Sequence, residues 1–275
     1  MQHLEFTAAG IGGIDLYAQA WLPEVAPRAV IVVSHGLAEH GGRYETLAGE
    51  LVQREYAVYA IDHRGHGRSS GPRANIERFA HLVADFCAFT GRCARQHPDT
   101  PVFMLGHSMG GAVAFASALR LQHMLRGLVL SAPALATGQS VPRLQELFAR
   151  LLSVVAPNTG ALTLPADAVS RDPSVVARYA ADPLVHHKAI PARTLVELLG
   201  AMQGFAASAP DLRLPTLVLH GTADKLVPLA ATQLVYQAFG TRDCVVKLYE
   251  GLYHEVFNEP ERERVTADLF HWLEF

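Results

Sequence analysis

Cysteine and long apolar runs are both scarce in this sequence. The 275 residues include three cysteines, Cys87, Cys93 and Cys244, at spacings that fit neither a disulfide framework nor a zinc site. We expect these cysteines to be reduced thiols in a cytoplasmic protein. No apolar stretch reaches the roughly 18 residues that a transmembrane helix requires, so we expect no membrane-spanning helix.

An excess of charge of one sign is also lacking. The 23 Lys and Arg residues nearly balance the 26 Asp and Glu residues, which leaves a formal net charge of −3. Because a nucleic-acid groove needs clustered Lys and Arg, we expect no nucleic-acid partner. The first residues, MQHLEFTAAGIGG, have neither a positively charged start nor a continuous apolar core, so we do not expect a signal peptide.

Histidine is abundant, but its spacing does not match a metal site. The chain has 14 histidines and no H-E-x-x-H or comparable ligand spacing. We therefore expect neither a metal ion nor another cofactor. Half of the residues are hydrophobic and 18% are charged, which is typical of a chain with a large buried core.

Apolar strand patterns alternate with helical patterns along most of the chain. HLEFTA and IDLYAQAWL predict an opening hairpin, and RAVIVVSHG is typical of a strand buried on both faces. Further strands are predicted in AVYAIDHRGHG, PVFMLGHS, RGLVLSAPAL, PTLVLHGTAD and CVVKLYEGLYHE, and helices in YETLAGELVQREY, LVADFCAFTGRCARQH, MGGAVAFASALRLQ and ERVTADLFHWLEF. This order predicts an α/β fold with a mostly parallel sheet and helices on both faces.

One region interrupts this alternation. Between about residues 138 and 204 the sequence has helical patterns broken by Pro and Gly and no convincing buried strand. The stretch VPRLQELFARLLSVVAPN has a broad apolar face, formed by Leu144, Leu147, Phe148, Leu151, Leu152 and Val155. We interpret residues 138–204 as a helical cap inserted over the end of the sheet, within one domain that spans residues 1–275.

The stretch VFMLGHSMGGAVAF has a serine at the junction of a buried strand and a helix. Such a junction requires a sharp turn, and a strained backbone there costs on the order of 1–3 kcal/mol. The pattern indicates either a tight turn with a helix cap or the nucleophile elbow G-x-S-x-G. Polar residues and glycines gather where the other strands end, at the edge where open α/β sheets bind ligands. We therefore interpret Ser108 as a nucleophile.

A serine nucleophile requires a general base and a third group that orients the base. Asp224 follows the strand PTLVLHG, and His254 follows CVVKLYEG. The order serine, acid, histidine matches that of hydrolases with a G-x-S-x-G elbow. The sequence therefore predicts a catalytic triad of Ser108, Asp224 and His254.

Three other side chains compete for these roles. Asp62 also follows a strand, but it precedes the serine in the chain, so it is the weaker candidate for the acid. We interpret His220 as buried support for the loop of the acid. His107, next to the serine, is interpreted as a core histidine that points to the other side of the elbow.

The tetrahedral intermediate of acyl transfer requires two N–H donors. We predict that one is the backbone N–H of Met109, at the start of the helix, where the helix dipole is favourable. The other is predicted to be Leu37, in the loop after the strand that ends at His35-Gly36. The glycines of the elbow, Gly106, Gly110 and Gly111, are expected to have a steric role there.

Several longer motifs resemble those of the monoacylglycerol lipases and their lysophospholipase-like relatives. These motifs are SHGLAEHGGRYETLA, AIDHRGHGRSSGPRANI, LGHSMGGAVA, DPLV, LHGTADKLVP and YEGLYHEVFNEPER. The resemblance extends from about Ala29 to the C-terminal helix and is weakest in the predicted cap. It implies the α/β-hydrolase fold and a serine hydrolase that cleaves a monoacylglycerol to glycerol and a fatty acid through an acyl-enzyme.

The resemblance also implies roles for individual residues. It implies the same triad and the same two N–H donors, and it implies that Glu39, His40 and Arg43 shape the polar, glycerol-side end of the pocket. The alternative for these three is a charged network that holds the loop, and the two roles are compatible. The apolar face of the cap can be core packing, or it can form an acyl-chain tunnel and a lid that touches a membrane surface transiently.

Other functions share the same residues. A lysophospholipase or a broad-specificity carboxylesterase would use the same triad and differ in the pocket. A binding protein with this fold but without activity would be expected to lack a triad member, and none is missing here. An enzyme with an aspartate nucleophile, such as an epoxide hydrolase, would have Asp in place of Ser108.

Overall fold

The computed structural model describes residues 1–137 and 153–274. The strands are β1 (Gln2–Ala9), β2 (Asp15–Leu22), β3 (Ala29–Ser34), β4 (Tyr56–Ile61), β5 (Val102–His107), β6 (Gly127–Ser131), β7 (Gly160–Leu162), β8 (Ile190–Pro191), β9 (Thr216–Gly221) and β10 (Cys244–Tyr249). Eight of them form one sheet in the order β1-β2-β4-β3-β5-β6-β9-β10. The β1–β2 hairpin is antiparallel, as is β2 with β4, and the remaining neighbours are parallel. The predicted hairpin and mostly parallel sheet are confirmed.

Helices pack on both faces of this sheet, as predicted. The helices are α1 (Glu45–Val52), α2 (Phe79–Gln96), α3 (Met109–Leu121), α4 (Pro173–Ala181), α5 (Ala192–Ser208), α6 (Leu229–Tyr236) and α7 (Arg262–Leu273). Successive residues of β3 lie on opposite faces of the sheet. Val30 and Val32 pack in one cluster with α2 and α3, whereas Ile31 and Val33 pack in another with α1 and α7. In the described ranges, no helix combines the length and the apolar character needed to cross a bilayer.

The segment between β6 and β9 has strands that the sequence analysis did not predict. The predicted apolar residues from Leu144 to Leu152 lie outside the described residues, and Val155 is exposed. Further along, α4 and α5 are accompanied by the antiparallel pair β7–β8. Strands of two and three residues are too short to show a hydrophobic period, which is why the sequence did not reveal them. Below, residues 138–204 are called the inserted segment.

The inserted segment is anchored to the rest of the fold through α5. The ring of Phe205 lies edge-on to that of Phe115 in α3, with ring centroids 5.2 Å apart. Phe205 also meets Phe79 at the start of α2, at 6.1 Å. These aromatic contacts join α5 to the cluster under α2 and α3. The position of α5 over the sheet is therefore determined by core packing.

The junction of β5 and α3 is packed closely around its glycines, which confirms the predicted steric role. A Cβ atom at Gly110 would overlap the carbonyl oxygen of Ser34, and one at Gly106 would overlap that of Gly110. At Gly111 it would lie 2.7 Å from Cβ of Pro133. Only glycine fits at these positions without a shift of the neighbouring backbone.

We expect Gly110→Ala to lower the free energy of unfolding by about 2–3 kcal/mol, because β3 and α3 must move apart. Gly49→Ala in α1 is the matched control, since nothing lies within 4 Å of a Cβ at that position. That change should be neutral or stabilise by up to about 1 kcal/mol, because alanine favours helix. Urea denaturation of the two variants measures both effects. Equal stability of the two variants would contradict the close packing of the elbow.

Candidate active site

Ser108 occupies the turn between β5 and α3 in a strained backbone conformation. Its φ is 54° and its ψ is −121°, a combination that costs about 1–3 kcal/mol in a residue other than glycine. The Ser108 N–H donates to the carbonyl of Ser131 at 3.0 Å, and its own carbonyl accepts from Ala134 at 3.0 Å. Within the described residues its side chain accepts no hydrogen bond from the first turn of α3. The geometry is that of an elbow and not of a serine helix cap.

The carboxylate of Asp224 accepts four hydrogen bonds. Oδ2 accepts from His254 Nδ1 at 2.8 Å and from His220 Nε2 at 3.1 Å. Oδ1 accepts from the backbone N–H groups of Leu226 and Val227, at 2.8 and 3.0 Å. Burial alone would raise the pKa of Asp224, but the His254 charge and these hydrogen bonds outweigh it and hold the pKa well below its usual value. The carboxylate is therefore charged and fixed in orientation.

The structure brings Ser108 and His254 to the wall of the same cavity. Because Nδ1 of His254 donates to Asp224, Nε2 is the ring nitrogen that can accept a proton. In the described part of the chain Ser108 Oγ forms no hydrogen bond with this ring, and such bonds often shorten only when substrate is bound. The three predicted triad residues thus lie together at one edge of the sheet.

The two predicted N–H donors lie in the lining of this cavity as well. Leu37 and Met109 flank Ser108 there. Met109 is the first residue of α3, so its N–H has no acceptor inside the helix. Neither the Leu37 nor the Met109 N–H donates to a backbone carbonyl of residues 1–137 or 153–274. Both donors are thus available to an oxygen bound beside Ser108.

The cavity next to Ser108 is largely apolar and has a volume of about 370 Å³. Helix α5 contributes Leu195, Leu198, Leu199 and Met202 to its lining. The other apolar contributors are Ala134, Ala136, Ala161, Leu162, Leu164, Val169, Leu226, Val227 and Pro228. A concave apolar site with a few polar groups at one place is typical of small-molecule binding.

Of the three residues predicted at the polar end of the pocket, only Glu39 lines this cavity. Arg43 and His40 instead line a second, polar cavity of about 280 Å³ on the outer side of the β3–α1 loop. His40 Nε2 pairs with Asp182 of the inserted segment at 2.9 Å. Glu39 thus lies where the predicted pocket role requires, and it also pairs with Arg43 in the charged loop network that was the alternative interpretation. Arg43 and His40 are placed in charged pairs outside this lining, and the pocket role of all three residues stays a prediction.

The competing residues take other positions. Asp62 accepts the N–H groups of Gly41 and Arg68, at 2.7 and 2.8 Å, and is not part of the cavity lining. His220 is buried and bonds the Asp224 carboxylate, as expected for a supporting residue. His107 was predicted to point to the other side of the elbow, but its ring lies 4.6 Å from that of His254 and lines the cavity. The reason is its hydrogen bond to the Ser131 carbonyl, which turns the ring towards β6.

Two residues of the site were missed in the sequence analysis. Glu255 and Tyr179 both line the cavity. Glu255 could have been suspected because it directly follows His254. Tyr179 carried no such signal, since its place in the site depends on how the inserted segment packs against the β3–α1 loop.

Four buried histidines surround the ends of β3, β4 and β5: His35, His63, His66 and His107. Burial lowers the pKa of each, to about 4 for His66 and His107 and well below the usual value for His35 and His63. The neighbouring histidine charges act in the same direction. All four rings are therefore neutral at pH 7.

These four rings take up protons more readily in the unfolded chain. Their contribution to the free energy of unfolding is therefore fully present above about pH 6.5 and is lost as the pH falls towards 4. We expect a loss of at least about 3 kcal/mol between pH 7 and pH 4. Urea midpoints across this range measure it. His66→Asn should flatten the profile because it removes one of the four titrating rings. The Asn side chain can still donate to the Arg64 carbonyl, which lies 3.0 Å from the ring Nδ1 of His66, so the loop should keep its structure. His123→Asn, at an exposed site, should not flatten the profile; identical profiles for both would contradict the assignment.

Comparison with protein families gives one match over most of the chain. The family model described as "Serine aminopeptidase, S33" matches residues 25–261. The chain is 42% identical over 269 residues to the monoacylglycerol lipase of Mycolicibacterium smegmatis, a match that covers 98% of this chain and 96% of the relative. It is 36% identical over 261 residues to the monoglyceride lipase of Rattus norvegicus, with 94% of this chain and 85% of the relative covered.

A solved structure agrees with these sequence matches. The crystal structure of the monoacylglycerol lipase of Paleococcus ferrophilus superimposes with a TM-score of 0.79 at 29% identity, and the match covers 99% of this chain and 98% of that one. The expected α/β-hydrolase fold is thereby confirmed over nearly the whole chain.

Proposed function

This chain belongs to the monoacylglycerol lipase family of serine hydrolases, and we propose that it cleaves the carboxylic ester of monoacylglycerols to glycerol and a free fatty acid. The observation that carries this proposal is the position of Ser108 in the wall of the apolar cavity. The leucines and methionine of α5 offer an acyl chain a surface from which water is excluded. The ester then lies where the polar groups of the site gather.

The roles of the site residues follow from this arrangement. Ser108 Oγ attacks the ester carbonyl carbon while its proton passes to Nε2 of His254, and Asp224 stabilises the imidazolium through Nδ1. The Leu37 and Met109 N–H groups stabilise the negative charge on the carbonyl oxygen. When the tetrahedral intermediate collapses, the ester C–O bond breaks and His254 returns the proton to the departing glycerol oxygen.

The second half of the reaction repeats these steps with water. His254 takes a proton from a water molecule, which attacks the acyl-enzyme carbonyl. The bond to Ser108 Oγ then breaks, Oγ regains its proton, and the fatty acid is released. No cofactor is required for either half of the reaction.

The matched family model is described as an aminopeptidase, which would need a carboxylate for the substrate ammonium group. The two glutamates in the cavity lining are Glu39 and Glu255. Both already bind Arg43, at 2.6 Å. Because both carboxylates are already engaged by Arg43 and by further hydrogen-bond donors, neither is free to bind a substrate ammonium group, which favours an uncharged or apolar substrate over a peptide N-terminus.

Fatty-acid release from monooleoylglycerol, from lysophosphatidylcholine and from a short-chain ester tests the proposal. We expect the highest kcat/KM with monooleoylglycerol. Faster release from lysophosphatidylcholine would support the alternative of a lysophospholipase. Turnover of the short ester alone would support a broad-specificity carboxylesterase and would contradict the lipid pocket.

We further propose that the inserted segment acts as a cap that contacts membrane surfaces transiently, within one domain of residues 1–275. Val154 and Val155 support this role, since 70% and 74% of their surface is exposed. Exposed apolar side chains on a segment that also contributes Ala161, Leu162 and Leu164 to the cavity lining favour contact with a bilayer surface. The three free cysteines support a cytoplasmic location.

We expect the double change Val154→Ser and Val155→Ser to weaken binding to phosphatidylcholine vesicles about tenfold, because two apolar side chains no longer enter the lipid. Hydrolysis of a water-soluble short ester should be unchanged. Val25→Ser, at an exposed valine in the loop after β2, is the control. Vesicle cosedimentation measures the binding. Equal binding of the wild type, the double variant and Val25→Ser would show that Val154 and Val155 do not contact lipid.

A further inference from the structure

Arg43 is the centre of a buried ion-pair network that joins separate segments of the chain. Its Nη1 donates to Glu39 Oε2 and to Glu255 Oε1, both at 2.6 Å, and its Nη2 donates to Glu255 Oε2 at 2.7 Å. The guanidinium carbon also lies 4.7 Å from the ring centroid of Tyr179, in the inserted segment. One side chain thus contacts the β3–α1 loop, the β10–α7 loop and α4.

At one end of this network, Glu39 holds the loop that carries Leu37. Its Oε1 accepts from the backbone N–H of Gly36 at 2.6 Å and from the Tyr44 hydroxyl at 3.0 Å. Gly36 lies against the elbow, since a Cβ there would be 3.3 Å from Cβ of Ser108. The position of the Glu39 carboxylate therefore affects the distance between the Leu37 N–H and Ser108.

At the other end, Glu255 holds the loop that carries His254. Its carboxylate receives both Arg43 nitrogens and also accepts from Asn258 Nδ2 at 2.8 Å. Its backbone N–H donates to Val169 of the inserted segment at 2.8 Å. Because Glu255 directly follows His254, a shift of its side chain moves the base.

We propose that Arg43 is a positioning residue that keeps the Leu37 loop and the His254 loop in register around Ser108. The inference rests on the proposed ester hydrolysis. Arg43 does not line the cavity next to Ser108, so it acts through Glu39 and Glu255. Catalytic groups that are displaced by about 1 Å can lose about 100-fold in rate. A fixed bidentate ion pair is suited to prevent such a displacement.

Arg43 and Glu39 both stay charged around pH 7. Burial alone would lower the pKa of Arg43, but Glu255 and Glu39 raise it well above the usual value. Burial would likewise raise the pKa of Glu39, but the Arg43 charge outweighs it and lowers that pKa. The Arg43–Glu39 ion pair is therefore a fixed contact and not a pH switch.

The test compares Arg43→Met with Arg64→Met in the full chain. Arg64 is a matched control because it also forms a buried ion pair, with Asp85 at 2.7 Å, and its side chain is 12% exposed against 10% for Arg43. Four quantities are measured. They are kcat and KM for monooleoylglycerol, the affinity for dodecylboronic acid, which binds Ser108 as a tetrahedral adduct, and the affinity for 1-O-dodecylglycerol, whose ether is not cleaved.

For Arg43→Met we expect kcat to fall about 100-fold with little change in KM, and the boronate affinity to fall by a similar factor. The ether affinity should change less than about threefold, because the apolar cavity is intact. Arg64→Met should lower the melting temperature and leave all four quantities unchanged. Equal losses of boronate and ether affinity, or a kcat equal to that of Arg64→Met, would overturn the proposal.

Glu255→Gln gives a second variant if Arg43→Met does not fold. It keeps the shape of the side chain and removes its charge, and we expect about a tenfold loss of boronate affinity, since part of the bidentate contact remains. A folded Glu255→Gln protein with wild-type boronate affinity would also overturn the proposal. If the wild type releases no fatty acid, the proposed function fails, and the ratio of boronate to ether affinity still tests Arg43.

Discussion

Ser108→Ala is expected to abolish fatty-acid release from monooleoylglycerol, with a fall in kcat of at least about 10⁴-fold. Without Oγ no acyl-enzyme can form at this position, and we expect only a residual acceleration from the proposed N–H donors, Leu37 and Met109. The fold should be unaffected, because the strained turn is held by backbone hydrogen bonds and not by the serine side chain. Time courses of fatty-acid release, with melting temperatures, measure both effects.

Ser117→Ala is the control for this change. Ser117 is a buried serine of α3, the helix that follows Ser108, and its Oγ donates to the carbonyl of Val83 at 3.5 Å. It should retain wild-type turnover within about threefold, since a long hydrogen bond of this kind contributes little. Ser108→Ala should still bind 1-O-dodecylglycerol. Wild-type turnover in Ser108→Ala would mean that the enzyme uses another nucleophile, whereas ligand binding without turnover in the wild type as well would favour a binding protein.

The second large effect is expected for Asp224→Asn, with a fall in kcat of about 10⁴-fold. Oδ1 of Asp224 accepts two backbone N–H groups, so the amide oxygen of Asn will take that position. The NH₂ group then faces His254 Nδ1, which must become an acceptor. The proton of the neutral imidazole moves to Nε2, and His254 can no longer accept the proton of Ser108.

Asp62→Asn is the control, and it also tests the competing candidate for the acid. Asp62 is a buried carboxylate that accepts two backbone N–H groups, as the Asp224 carboxylate does through Oδ1. Its loss should lower stability by about 1–3 kcal/mol and change kcat less than about tenfold. If Asp62→Asn lost the larger share of activity, the assignment of the acid to Asp224 would be wrong. The pH dependence of kcat/KM for both variants completes the comparison.

The centre of the sheet was predictable because the strands β3, β4, β5, β6 and β9 are buried on both faces. Runs such as AVIVVS and TLVLHG are short and apolar, so their pattern differs from that of an amphipathic helix. Most of the elements between them followed from the alternation of strands and helices. Helix α6 was not predicted, since its apolar residues do not lie on one face: Leu234 is exposed while Val235 and Tyr236 are buried. The β7–β8 pair was missed because contacts with neighbouring elements stabilise it, whereas its own sequence has no strand pattern.

The candidate triad was predictable because its chemistry requires particular residue types in a particular order. The polar residues around it were harder to predict. Arg43 and Glu255 are separated by most of the chain, and nothing in either local stretch indicates that they form a bidentate pair. His107 was assigned to the wrong side of the elbow because the orientation of a ring depends on its partner, the carbonyl of Ser131, on a neighbouring strand.

The connection between β6 and β9 has a consequence for how acyl preference can change. The chain leaves the sheet at Ser131, at the carboxyl end of β6, and returns at Thr216, at the amino end of the adjacent parallel strand β9, so the connection also crosses one face of the sheet. The entropy of closing such a connection grows only with the logarithm of its length, by about 0.6 kcal/mol for each doubling. The part of the connection that precedes α5 can therefore change in length with little effect on the sheet, whereas α5 must stay, because Phe205 packs on Phe79 and Phe115. Such a change would replace part of the apolar cavity lining, while Ser108, Asp224 and His254 would stay on the strands and loops that hold them.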